Sequence, residues 1–170
     1  MRRRIALSIM TGVMALGLVA APASAKSGAT IVDTAVAVNK ANGEFTYLIQ
    51  AVVKAGLVET LDGRRQFTVF APTDAAFEDL FEALKVDGIA DIPASTLKAV
   101  LLYHVSPGER FSGDVLSASR VRTMSKSFLF PSIEGGKPYI SGANNTARIV
   151  MPDVNASNGV IHVIDAVLLP

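Results

Sequence analysis

Cysteine and tryptophan are missing from the 170 residues, and histidine occurs only twice. Without thiols there are no disulfides, no structural Cys-zinc sites, no thiol nucleophile and no lipid-modified N-terminal cysteine. Exported domains of this size fold without disulfides, so the lack of cysteine is compatible with a home outside the cytoplasm. Two imidazoles, His104 and His162, make a poor zinc set on their own. Gly135-Gly136 has no lysine–serine pair after it, so it reads as a turn and not as a phosphate loop. Charge is also thin, at 18% of residues.

Half of the chain is apolar, and part of that content belongs to its start. Arg2, Arg3 and Arg4 precede an apolar run from Ile5 to Ala21, followed by Ala23-Ser24-Ala25. This basic, apolar and small-residue order is that of a secretory signal peptide over residues 1–25. A membrane anchor competes, but the run is short for a span of about 20 residues. Gly12, Gly17 and Pro22 also interrupt it. Cleavage after Ala25 leaves Lys26–Pro170 and removes three of 16 basic residues, so 13 face 15 acidic ones. A net charge of −2 gives no electrostatic footprint for nucleic acid, and that partner class is rejected. Residues 26–170 suit one domain, secreted or periplasmic, long enough to bury about two thirds of its unfolded surface.

The organising stretch is Gln66–Leu84, QFTVFAPTDAAFEDLFEAL. Phe67, Val69 and Ala71 alternate with Thr68 and Phe70, predicting a strand that Pro72 ends. Thr73 or Asp74 caps a helix whose Phe77, Leu80, Phe81 and Leu84 form one apolar stripe. Before it, Thr30–Val38 is expected to be a short helix, with a strand as competitor. Asn39–Gly43 reads as a break, and Phe45–Ala55 as a firmer helix ended by Gly56. After it, a helix is expected over about 94–103 and closed by Ser106-Pro107-Gly108. A short turn or helix follows at Ser112–Ala118.

The last third reads as extended segments: Val121–Met124, Ser127–Ile133, Lys137–Ser141, Ala147–Met151 and Gly159–Leu169. Turn chemistry separates them at Gly135-Gly136, Gly142–Asn145 and Pro152–Asn158. Glu134–Lys137 is expected to be a tight hairpin, because glycine tolerates the positive φ such turns require. VIHVIDAVLLP is apolar enough for a strand buried on both faces. Helices first and strands later predict an α+β fold.

Three segments resemble the fasciclin-like domain family: FTVFAPTDAAF at 67–77, LLYHVSPG at 101–108 and NGVIHVIDAVLLP at 158–170. Their order and separation fit, and the likeness runs from about Thr30 to Pro170. The resemblance implies a fasciclin-like wedge, a small β-sandwich with several helices packed beside it. It also implies a non-enzymatic adhesion or interaction module, with a cell-surface or matrix macromolecule as partner and no cofactor. In animal members the tyrosine–histidine motif contributes to receptor binding. Here that motif is Tyr103 and His104, flanked by Leu102 and Val105, which makes these four the candidate partner contacts. A second receptor motif is poorly kept, since this chain has Met151-Pro152-Asp153-Val154.

Some secreted members bind carotenoids, so the alternative is a carrier of an apolar small molecule. Phe128, Leu129 and Phe130 are then the candidate lining, because Met124–Ile133 is unusually apolar for a meander strand. The bland reading of the chemistry is that both histidines are structural, bonded to backbone near the core. Asp74 reads as a helix-start residue. Asp165 interrupts an apolar run, and such a carboxylate needs hydrogen bonds or a cation. Arg64, Arg65, Arg120 and Arg122 read as scattered, solvated charges.

Overall fold

The computed structural model describes residues 28–170, so the expected signal peptide lies outside the described residues. Thr30 starts the first helix, α1 (Ile31–Asn42), through a capping box with Asp33. Its Oγ accepts from the Asp33 N–H at 3.2 Å, and the Asp33 carboxylate accepts from the Thr30 N–H at 3.1 Å. The helix runs through Asn39, where a break was expected, and stops only at Gly43 with φ +72°. Asn39 is absorbed because its side chain accepts from the Phe45 N–H just past the cap.

Helix α2 (Thr46–Lys54) begins at Phe45, which offers no side-chain cap. Asp74 supplies it from another element, accepting from the N–H groups of Thr46 at 3.1 Å and Tyr47 at 2.9 Å. Thr73, not Asp74, caps α4 (Asp74–Leu84). The Asp74→Ala variant is therefore expected to lose about 1–2 kcal/mol of stability, while Asp74→Asn retains most of it. Denaturant midpoints of the two variants against wild type check this.

Three further α-helices follow among the described residues, α3 (Val58–Leu61), α5 (Ala94–Tyr103) and α6 (Ser112–Ser117), with a short 3-10 turn at Ile89–Asp91 before α5. Strand β1 (Phe67–Pro72) lies between two partners, parallel to β7 (Gly159–Ile164) and antiparallel to β2 (Val105–Pro107). The strand β2 begins at Val105, directly after the α5 cap, so Ser106-Pro107 is ladder and not only a terminator. The meander follows as β3 (Val121–Arg122), β4 (Phe128–Glu134), β5 (Lys137–Ser141) and β6 (Thr146–Ala156). All seven form one sheet in the order β2-β1-β7-β6-β5-β4-β3.

The sheet curls on itself. Beyond β3, Met124 donates its N–H to the Val105 carbonyl at 2.7 Å, and Ser106 Oγ donates to the Arg122 carbonyl at 2.8 Å. The two ends of the sheet thus meet, and its two halves face each other as the layers of a small sandwich. The bend lies in β6, whose pairing with β7 shifts twice, between Ile149 and Met151 and again before Val154. The strand therefore passes through Pro152, where a turn was expected, and Asp153 takes φ +60° within the irregularity.

Two cores result. The inner one, enclosed by the curl, holds Phe70, Tyr103, Val115, Leu129, Ile140, Ile164 and Leu168. The outer one lies between β1, β2 and β7 and the helices, around Phe67, Val69, Phe77, Phe81, Leu101 and Ile161. The period-2 alternation of β1 divides its side chains between them, Val69 outward to the helices and Phe70 inward. Strand β7 is buried at every position but ends at Ile164, five residues short of the expected Leu169.

Candidate functional site

The tyrosine–histidine motif sits at the junction of the two cores. His104 is the C-cap of α5 and is 2% exposed. Its Nε2 accepts from the Leu168 N–H at 2.9 Å, so Nδ1 carries the proton and donates to the Val100 carbonyl at 2.7 Å. Tyr103 is buried in the inner core, and its hydroxyl accepts from the Ala143 N–H at 2.8 Å. Val105 is buried as well, leaving Leu102 as the half-buried member of the four candidate contacts. Three of the four side chains face inward because the motif ends a helix packed between sheet and core. A partner touching this region meets Leu102.

His162 occupies the middle of β7, fully buried against Phe70 at 5.6 Å between ring centroids. Its Nδ1 accepts from the Asp153 N–H at 3.2 Å, and Nε2–H donates to the Arg110 carbonyl at 3.0 Å. The Asp153 carboxylate in turn accepts from the Ser112 N–H at 2.6 Å and from its hydroxyl at 2.5 Å. Burial works to raise the Asp153 carboxyl, but the two Ser112 bonds and the neighbouring His162 ring outweigh it and hold the carboxyl below its ordinary value. This chain of bonds ties the loop before α6 to the irregular part of β6. Each imidazole thus has both nitrogens occupied by backbone groups, and among the described residues neither is hydrogen-bonded to a hydroxyl.

Burial pushes the His104 imidazole down to about 4, against a smaller upward pull from the Val100 carbonyl. His162 is lowered for the same reason, opposed by the Arg110 carbonyl and Asp153. The unfolded chain therefore binds protons that the folded chain refuses. Stability is expected to be intact above pH 6.5 and to fall as pH drops towards 4, with His104 alone contributing about 3 kcal/mol of that loss. Denaturant titrations at pH 7 and pH 4.5 measure it. In His104→Gln the loss should shrink by about one proton's share of the slope.

Asp165 is exposed, and both its needs are met. It accepts from the Arg148 N–H at 2.8 Å and pairs with Arg148 Nε at 3.3 Å. Arg120, expected to be solvated, lies over the Phe128 ring at 4.5 Å from its centroid. Strand β4 alternates, so Phe128 and Phe130 stand outside, 36% and 51% exposed, while Leu129 points into the inner core and is fully buried. Leu129 therefore lines no surface site. The Asp74 cap, the Ser112–Asp153 pair and Asn158 escaped the sequence reading. Asn158 is buried and bonds Ile31 N–H, the Leu61 carbonyl and the Gly63 carbonyl, joining α1 and α3 to the β6–β7 turn. Only the Asn-Gly pair at 158–159 hinted at it.

An apolar cavity of about 50 Å³ lies between α1, α2 and β1, lined by Ala35, Leu48, Val52, Val69 and Ile161 among others. Among the described residues no helix is long and apolar enough to cross a membrane, and no group of three or more acidic or histidine side chains is placed to hold a metal ion.

These features define a class: an α+β scaffold whose two histidines are buried with backbone partners and whose exposed large apolar side chains include Phe128, Phe130, Ile133 and Val150 on β4 and β6. The fasciclin domain profile matches residues 43–170, and the chain belongs to the fasciclin domain family. It is 37% identical over 152 residues to Protein sll1483 of Synechocystis sp., covering 89% of this chain and 79% of that one. It is 35% identical over 144 residues to transforming growth factor-beta-induced protein ig-h3 of Sus scrofa, covering 81% of this chain and 19% of that one. Among solved structures it superposes on a FAS1 domain pair from the insect cell adhesion molecule fasciclin I. That match has a TM-score of 0.69 at 20% identity, covering 84% of this chain and 51% of the other.

Proposed function

We propose that residues 26–170 act as one exported, non-enzymatic adhesion module that binds a cell-surface or matrix macromolecule through its outer surface. The observation that carries this reading is the division of side chains. The imidazoles are sealed in by backbone partners, while Phe128 and Phe130 are left on the outer face of β4. Membership of the family supports it, as does the described cell adhesion role of the insect protein whose domain pair shares the fold. The segment 1–25 serves as the export signal and is removed, placing the module in the periplasm or outside the cell.

A carrier role for a carotenoid or other apolar molecule finds its support in the cavity between α1, α2 and β1. At about 50 Å³ the cavity falls well below the ~300 Å³ at which ligand sites of drug size begin, and the wider hollow of about 380 Å³ beside it, lined by Ile49, Val53 and Ile89, is shallow and open to solvent. Adhesion is therefore the stronger reading. Coating a surface with the purified protein and counting retained cells or matrix polymer tests it. Retention above an albumin-coated control is expected, from a protein without visible absorption. A coloured protein that retains nothing would replace adhesion by carriage.

A further inference from the structure

Helices cover the outer side of β1, β2 and β7, whereas the outer side of β4–β6 stays open. Pairing register lays its outward residues side by side. Arg122 stands beside Phe128, and Phe130 beside Ser141 and Thr146. Charge is segregated to match. Between residues 112 and 150 five basic residues face two acidic ones, while the rest of Lys26–Pro170 has eight against thirteen. Arg148 pairs with Asp165, and Lys137 stands across from Glu134. Arg120 and Arg122 have no carboxylate partner among the described residues, although a guanidinium favours one.

Resting on the adhesion reading above, we propose that this open face binds an acidic polysaccharide, a linear polymer carrying uronate carboxylates. A guanidinium grips a carboxylate through two parallel N–H bonds, and stacking on Phe128 holds that of Arg120 in place beforehand. The exposed Phe130 ring offers a flat apolar plate to the C–H face of a sugar ring. The Ser141 and Thr146 hydroxyls, 2.9 Å apart, meet sugar hydroxyls at its side. An open, strand-lined face suits an extended chain. It lacks the enclosed pocket in which a protein partner buries its anchoring side chains. Three basic residues without an ion-pair partner among the described residues, Arg120, Arg122 and Lys126, are also fewer than the four to eight that hold a protein to anionic lipid.

Affinity electrophoresis of the purified protein through gels containing polygalacturonate or dextran tests the proposal. Retardation by polygalacturonate and none by dextran is expected. The Arg120→Gln/Arg122→Gln double variant should weaken it about tenfold or more, and Phe130→Ser should weaken it too. Arg64→Gln/Arg65→Gln, on a loop elsewhere, should leave it unchanged. Thermal melts confirm that each variant is folded. No retardation, equal retardation by dextran, equal loss in the Arg64/Arg65 variant, or equally tight Arg-dependent binding to phosphatidylglycerol vesicles would each overturn it. If the arginine double variant still retains cells or matrix as wild type does, this face is refuted and adhesion stands. If wild type retains neither, adhesion falls as well.

Discussion

The Gly159→Ala variant is expected to lose at least about 3 kcal/mol of stability, a large share of the 5–15 kcal/mol typical of a domain. Gly159 opens β7 with φ +154° and stands opposite Phe67 in the parallel pairing of β1 with β7. A β-carbon there would lie 1.9 Å from the Phe67 carbonyl oxygen and 2.9 Å from its carbon. The obstruction is backbone, so no rotamer change relieves it. Either β1 and β7 separate at their start or the β6–β7 turn shifts, breaking the Asn158 bonds to α1 and α3. Gly113→Ala is the matched control: it lies within α6 with nothing within 4 Å of an added β-carbon. There the exchange should be neutral or stabilising by up to about 1 kcal/mol. Equilibrium unfolding of both variants decides the matter, and a Gly159→Ala protein as stable as wild type would sink the steric account.

Gly159 also shows where a sequence stops being readable. Asn158-Gly159 announces a turn, but the need for glycine comes from Phe67, ninety-two residues earlier. Features set by neighbours within a few positions were legible. The strand-to-helix corner at 66–84 forms as its periodicity requires, and the helix expected over about 94–103 is α5, Ala94–Tyr103. Gly135 and Gly136 take φ +58° and +76° in the expected hairpin. What depended on distant pairing was not legible. Strand β6 continues through Pro152 because β7 lies beside it and two irregularities absorb the proline, which no local pattern records. Asp74 looks like a cap for its own helix and serves another. The same division holds at the site. Apolar surroundings marked both histidines as structural, but one partner of each, Leu168 and Arg110, lies 64 and 52 residues away and is brought in only by the fold.

Tyr103 is where a structural and a binding role can be separated by experiment. Its ring is 1% exposed in the inner core, and the turn after β5 closes over it. A β-carbon on Gly142 would come within 3.1 Å of the ring, and the Ala143 N–H bonds its hydroxyl. Truncation to alanine removes the ring from a site that cannot collapse without moving the sheet, so Tyr103→Ala is expected to cost about 3–5 kcal/mol. Tyr103→Phe keeps the ring and loses one part-buried hydrogen bond to the Ala143 N–H, a cost of about 0.5–1.5 kcal/mol. Binding per folded molecule should be unchanged in Tyr103→Phe and, where it folds, in Tyr103→Ala. Leu102→Ser probes the half-buried neighbour, which packs against the outer core, so its stability is measured beside its retention. Denaturant melts beside surface-retention assays on the same samples give both quantities. If Tyr103→Phe kept its stability and lost retention, the hydroxyl would have to reach the partner, and a side chain sealed beneath the 142–145 turn can do so only if that turn opens on binding.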